Sequence, residues 1–192
     1  MRYHNITKAD MLNGEGLRVV LWVSGCSHHC PSCHNPITWN EKDGLEFDDE
    51  TIKEIYHELD QDWCSGITLS GGDPLFCGNR ETIANLVKNI RVLYPNKTIW
   101  SYTGYTWEEL MEQKEHDENL RTILNNLDVI LEGRFILKLK ADKYKYVGSS
   151  NQRIIDVQNS LKEDKIIIYK NLNVEENKEE CLDKVTVCCN MD

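Results

Sequence analysis

The sequence contains no apolar run approaching the roughly 20 residues that span a bilayer, and its first residues carry no signal-peptide core. It also lacks an excess of positive charge: 22 Lys and Arg stand against 32 Asp and Glu, a formal net charge of −10. Nucleic acid and anionic membranes both reward clustered cations, so neither is expected as the main partner. No internal repeat is visible at periods of about 20–50 residues. The 192 residues suffice for one domain with a real core but are few for a closed eight-stranded α/β barrel. Cysteine, by contrast, is plentiful, with eight in the chain. Without an export signal, the grouping of three of them favours reduced cytosolic thiols over a secreted disulfide framework.

Those three lie in Gly25-Cys26-Ser27-His28-His29-Cys30-Pro31-Ser32-Cys33-His34-Asn35-Pro36, directly after the apolar run Val19–Val23. The C-x3-C-x2-C spacing puts three thiolates on one loop at the end of a strand. A closed structural site normally takes four protein ligands, whereas three leave one metal position open for a substrate. The plain alternative is a zinc site in which His28, His29 or His34 completes a tetrahedron with Cys26, Cys30 and Cys33.

Along the rest of the chain, strand and helix signals alternate. Residues 1–16 are polar with two glycines and read as an entry segment; Leu17–Ser24 is the first strand, apolar enough for burial on both faces. Trp39–Phe47 reads as a connection, and Asp48 as the N-cap of a helix whose Ile52, Ile55, Tyr56 and Leu59 share one face. Gly66–Ser70, Thr98–Tyr102 and Val129–Leu131 are strand candidates, with helices over Arg80–Tyr94, Trp107–Lys114 and Asn119–Leu127. Lys143–Val147 and Lys165–Tyr169 are weaker strand candidates flanking a helix near Ile154–Leu161. Such alternation implies parallel strands with crossovers, and the expected fold is a partial α/β barrel, open on one side. From about Asn171 the chain turns polar and acidic and carries Cys181, Cys188 and Cys189. The expected division is a core over residues 1–170 and a tail of unknown role over 171–192.

The cysteine triad after a first strand resembles the signature of the radical S-adenosylmethionine (SAM) enzymes. Five further stretches resemble, in order and spacing, the activating proteins of anaerobic ribonucleoside-triphosphate reductase. They are Asn13–Arg18, Leu69–Leu75 with its Ser-Gly-Gly-Asp, Ile99–Tyr105, Asp128–Phe135 and Gly148–Arg153. The resemblance runs to about Tyr169 and implies a partial TIM-like barrel of the radical SAM type. It implies that Cys26, Cys30 and Cys33 ligate a 4Fe–4S cluster whose remaining iron takes the amino and carboxylate groups of SAM. It further implies that Ser70, Gly71, Gly72 and Asp73 bind the SAM amino group, and that Ser32, Cys33 and His34 line its adenine side. His34 stands where that family usually has a tyrosine-like ring. Glu132 and Arg134 stand where it usually has Asp and Lys. These two and Asp128 are open to either ligand contact or structural pairing.

The expected function is then a cytoplasmic activase that cleaves SAM reductively and installs a glycyl radical on the anaerobic reductase. A flavodoxin- or ferredoxin-type protein is the implied electron donor. Two other classes stay open: a radical SAM enzyme acting on a small heterocycle, and a zinc-binding interaction module. Thr103-Gly104-Tyr105 is placed on the active face by its position after a strand. His28 and His29 are read as loop imidazoles, Cys64 and Cys77 as ordinary thiols. Asn151-Gln152-Arg153 is read as a docking or helix-capping element.

Overall fold

The computed structural model describes residues 1–140 and 144–169, so the tail lies outside the described residues. Seven strands form one sheet: β1 (Arg2–Asp10), β2 (Leu17–Val23), β3 (Leu45–Glu46), β4 (Cys64–Gly71), β5 (Thr98–Tyr102), β6 (Val129–Glu132) and β7 (Arg153–Asp156). Their order is β3-β1-β2-β4-β5-β6-β7. β2, β4, β5 and β6 pair in parallel, whereas β1, β3 and β7 pair antiparallel toward the two edges. The TIM-like barrel expected from the resemblance is therefore corrected to an open, mixed sheet. Its antiparallel edge strands do not continue the parallel winding that a closed α/β barrel requires.

Among the described residues five α-helices accompany the sheet: α1 (Asp49–Leu59), α2 (Arg80–Leu93), α3 (Trp107–Lys114), α4 (Glu118–Asn126) and α5 (Val157–Glu163). Side chains alternate along each strand, so the two faces of the sheet receive different sets. Val19, Leu21, Val23, Ile67, Leu69, Ile99, Ile130 and Ile155 pack with Ile55, Leu59, Ile83, Val87, Leu110, Ile123 and Val157 of the helices. Trp100, Val129, Leu131 and Ile154 gather on the other face with Tyr102, Tyr146, Val147 and Tyr169. One face is thus a hydrophobic core under the helices, and the other is left for a site.

The helix starts follow capping chemistry. Asp48 accepts from the Thr51 amide at 2.9 Å, Asp117 from the Leu120 amide at 2.9 Å, and Thr106 with Glu109 forms a reciprocal capping box. Three departures from expectation have local causes. Residues 1–16 hold β1, whose period-2 pattern is broken by register shifts after Tyr3 and Thr7 and by Ala9 at φ 52°. The helix expected near Ile154–Leu161 begins only at Val157, because Ile154 and Ile155 face opposite sides of the sheet and belong to β7. Of the two weak strand candidates, Tyr144–Val147 forms no strand, and Lys165–Tyr169 contributes a single bridge from Ile168 to Ile155.

Candidate functional site

The C-terminal ends of the parallel strands open onto a cavity of about 470 Å³, within the size range of small-molecule sites. Cys26, Cys30 and Cys33 all line it, as do His34, Ser70, Gly71 and Gly72. The resemblance-based residues are thus brought together, apart from Ser32 and Asp73, which do not line the cavity. Ser32 is an exposed residue at φ 60°, part of the sharp path that returns the chain from Cys30 to Cys33.

The cysteine loop is seated by backbone bonds. Gly25 and Cys26 donate to the Thr38 and Trp39 carbonyls, at 2.8 and 3.1 Å, while Asp73 donates to Gly25 O at 2.8 Å. Gly72 lies so close beneath this loop that a Cβ there would stand 2.4 Å from Gly25 O. The second glycine of Ser70-Gly71-Gly72-Asp73 is therefore required by loop packing. Gly71, at φ +99°, turns the chain at the end of β4.

The three thiols are placed to carry an iron–sulfur cluster. They are free and partly exposed on the wall of one cavity. Among the described residues no three His, Cys, Asp or Glu side chains converge on a single-ion site. A cluster distributes its cysteines over separate irons, whereas zinc needs its ligands within about 2.3 Å of one point. Both ring nitrogens of His28 are engaged, His29 packs edge-on against Trp39, and His34 lines the cavity beside Phe135. Burial pushes the Cys26 thiol up to about 11, so metal binding there releases a proton.

Asp73 is 1 % exposed and enclosed by donors. Its Oδ1 accepts from Leu75 N–H at 2.8 Å. Its Oδ2 accepts from Thr103 Oγ1 at 3.0 Å and Gly104 N–H at 3.0 Å, and lies 2.8 Å from His28 Nε2. On the opposite side of that imidazole, Arg134 Nε donates to Nδ1 at 3.2 Å.

The remaining residues singled out in the sequence divide by position. Asp128 sits at the far end of β6, where Arg91 and the Ile99 amide each donate to it at 2.7 Å, away from the cavity-lining residues. Glu132 is buried, accepts from Trp107 N–H at 3.0 Å and pairs with Arg153. Burial nevertheless raises its carboxyl pKa, with the Arg153 contact acting in the opposite direction. Gln152 accepts from the Gly148 and Ser149 amides and donates to Gly133 O, which latches the turn before β7 onto the end of β6. Leu12, Trp22, Tyr102, Phe135 and Tyr146 also line the cavity. Sequence reasoning gave them no role, although Trp22 and Tyr102 are marked by alternation, as residues on the sheet face opposite the helices.

A family model described as a 4Fe-4S single cluster domain matches residues 12–155. The chain is 40% identical over 154 residues to the anaerobic ribonucleoside-triphosphate reductase-activating protein of Enterobacteria phage T4, covering 80% of this chain and 93% of that one. It is 38% identical over 156 residues to the protein of that name from Haemophilus influenzae, covering 80% and 97%. The Escherichia coli K12 protein of the same name is 38% identical over 154 residues, covering 79% and 96%.

Proposed function

We infer that this chain, which belongs to the family of anaerobic ribonucleoside-triphosphate reductase-activating proteins, is an iron–sulfur, SAM-dependent activase for that reductase. The carrying observation is the convergence of Cys26, Cys30 and Cys33 with Gly71 and Gly72 on one cavity at the ends of parallel strands. When bound, the cluster supplies the electron that cleaves SAM to methionine and a 5′-deoxyadenosyl radical, which takes a hydrogen atom from a glycine of the reductase.

In this reading Cys26, Cys30 and Cys33 hold the cluster, and the backbone at Ser70–Gly72 receives the amino-acid end of SAM. His34 and Phe135, with ring centroids 5.4 Å apart, supply an aromatic wall on the same cavity. Tyr102 and Trp22 contribute further apolar lining, which limits water around a reactive radical. The substrate is a protein segment, and the cavity's surroundings suit one: Leu12 on its wall is 79 % exposed, and Ile136 and Leu137, next to Phe135, are 41 % and 52 % exposed. Ser27, His29, Pro31 and Ser32 of the cysteine loop face solvent, which leaves the cluster approachable by a flavodoxin- or ferredoxin-type donor. A cytoplasmic location agrees with the free thiols found at Cys26, Cys30, Cys33, Cys64 and Cys77.

The test is anaerobic reconstitution with iron and sulfide, reduction, and addition of SAM and the reductase, followed by EPR. A glycyl-radical doublet that is lost in Cys30→Ala is expected. Deoxyadenosine without a doublet would reassign the substrate, and stoichiometric zinc without a cluster would end the reading.

A further inference from the structure

Asp73 is buried and does not line the cavity, and its carboxylate accepts from one donor on Oδ1 and three on Oδ2. His28, Thr103 and Gly104 line the cavity, and Leu75 does not. Leu75 follows Asp73 in its own turn, Thr103 and Gly104 follow β5, and His28 lies between Cys26 and Cys30. Asp73 therefore joins the end of β5 to the cysteine loop.

The imidazole of His28 is held on every side. A guanidinium can only donate, so the Arg134 contact fixes Nδ1 as an acceptor and places the ring proton on Nε2. The His28–Asp73 contact is then a ring N–H donating to a carboxylate. Tyr105 packs against the ring with centroids 4.6 Å apart and planes at 76°. Gly104 lies under it, where a Cβ would stand 2.4 Å from His28 Cδ2. The His28 side chain is 5 % exposed, deeply buried for a residue on a metal-binding loop. Arg134 is more exposed and is steadied by Glu109 at 3.3 Å.

We propose that Asp73 and Arg134 serve the reaction as positioning residues acting through His28. Together they fix the Cys26–Cys30 half of the loop before a cluster is present, and Asp73 makes no contact with SAM. The proposal deepens the activase reading and rests on that reading's assignment of the loop as the cluster carrier. Its physical basis is the one that applies to outer-shell partners of metal ligands generally. Holding a ligand loop in its bound geometry removes an ordering cost from cofactor binding, and losing such a partner costs about 10–100-fold in affinity or activity.

The test uses Asp73→Asn, His28→Phe, His28→Gln and the Asp73→Asn/His28→Phe double variant. In metal-free protein, hydrogen exchange at the Cys26 and Cys33 amides, bonded to Trp39 O and Cys30 O, is expected to accelerate in Asp73→Asn and His28→Phe. Exchange in α1 and α4 is expected to stay unchanged. On reconstitution, each single variant is expected to take up the cluster about 10–100-fold more weakly and, through it, to lose SAM binding in equilibrium titration. The double variant is no worse than either single one, and His28→Gln, which keeps a donor toward Asp73, recovers part of the loss. Additive losses, or a loss in Asp73→Asn with none in His28→Phe, would show Asp73 acting on SAM directly and overturn the proposal. Unchanged exchange in both single variants would overturn it as well. If Asp73→Asn does not fold, the two His28 variants decide alone. Wild-type protein that takes up no cluster sinks the activase reading, while the metal-free exchange still judges the clamp.

Discussion

Two buried charges of opposite sign organise the site face of the sheet, and they differ in what they hold. Arg18, fully buried in β2, makes five hydrogen bonds, to Thr68 Oγ1, Thr98 Oγ1, Ile67 O, Thr98 O and Glu15 O, and stacks over Trp100 at 5.1 Å. Burial lowers its pKa to about 10, a measure of what enclosing a guanidinium costs. Asp73, just beyond β4, is satisfied by two amides, a hydroxyl and an imidazole. Arg18 ties β2, β4 and β5 and the turn before β2 to one another, so its network belongs to the whole fold. Asp73 ties one loop to the ends of two strands, so its network belongs to the site. The same device, a charge enclosed by neutral polar groups, sets global stability in one place and local order in the other.

That contrast breaks first at Arg18. Arg18→Met leaves two hydroxyls and three carbonyls short of a donor and is expected to cost about 3 kcal/mol or more, read as a lower urea midpoint. An unchanged midpoint would erase the distinction. Gly72→Ala sharpens the other side: its Cβ must displace the Gly25 backbone 2.4 Å away, so iron uptake is expected to fall several-fold with a smaller change in the urea midpoint. Asp117→Ala removes no hydrogen bond of either network. It removes the α4 cap and the 2.8 Å pair with buried Arg80, an expected loss of about 1–2 kcal/mol by the same titration with the site intact.

The smallest effect is on pH. Hydrogen bonds from Thr51 lower the Asp48 pKa, and the Arg153 contact lowers that of Glu108. At Asp117 burial acts upward, but the Arg80 and Leu120 hydrogen bonds outweigh it and the net shift is downward. Lowered carboxylates stabilise the fold above their ordinary values of 3.8 and 4.5, and the contribution disappears as pH falls through the folded values. Thermal melts from pH 6 down to about pH 3 are expected to lose stability only in the lower half of that range. Asp48→Asn should flatten the fall.

The Asp48 cap and the parallel strands were legible because their signals are local. Asp48 sits three residues before the Thr51 amide that donates to it, and β2, β5 and β6 are short runs rich in β-branched and aromatic residues. The edges of the sheet were not legible. Bulges erase the alternation of β1, and two residues of β3 carry no period at all. The three cysteines were found by spacing, but the partner of His28 lies 45 residues away at Asp73 and that of Arg134 lies 106 residues away at His28. Such pairings leave no trace in a window of sequence. They were hidden further because Asp73 lies in a stretch that resemblance assigns to SAM. The TIM-like barrel was inferred from that resemblance and from the alternation of elements, neither of which reports how a sheet ends.

The central claim is a cluster held by three cysteines with one iron left for SAM. Mössbauer spectra of protein reconstituted with ⁵⁷Fe, recorded with and without SAM, test it directly. The account predicts that one iron changes its isomer shift when SAM is added while the others keep theirs. Irons that are indifferent to SAM, or protein that binds zinc in their place, would contradict it.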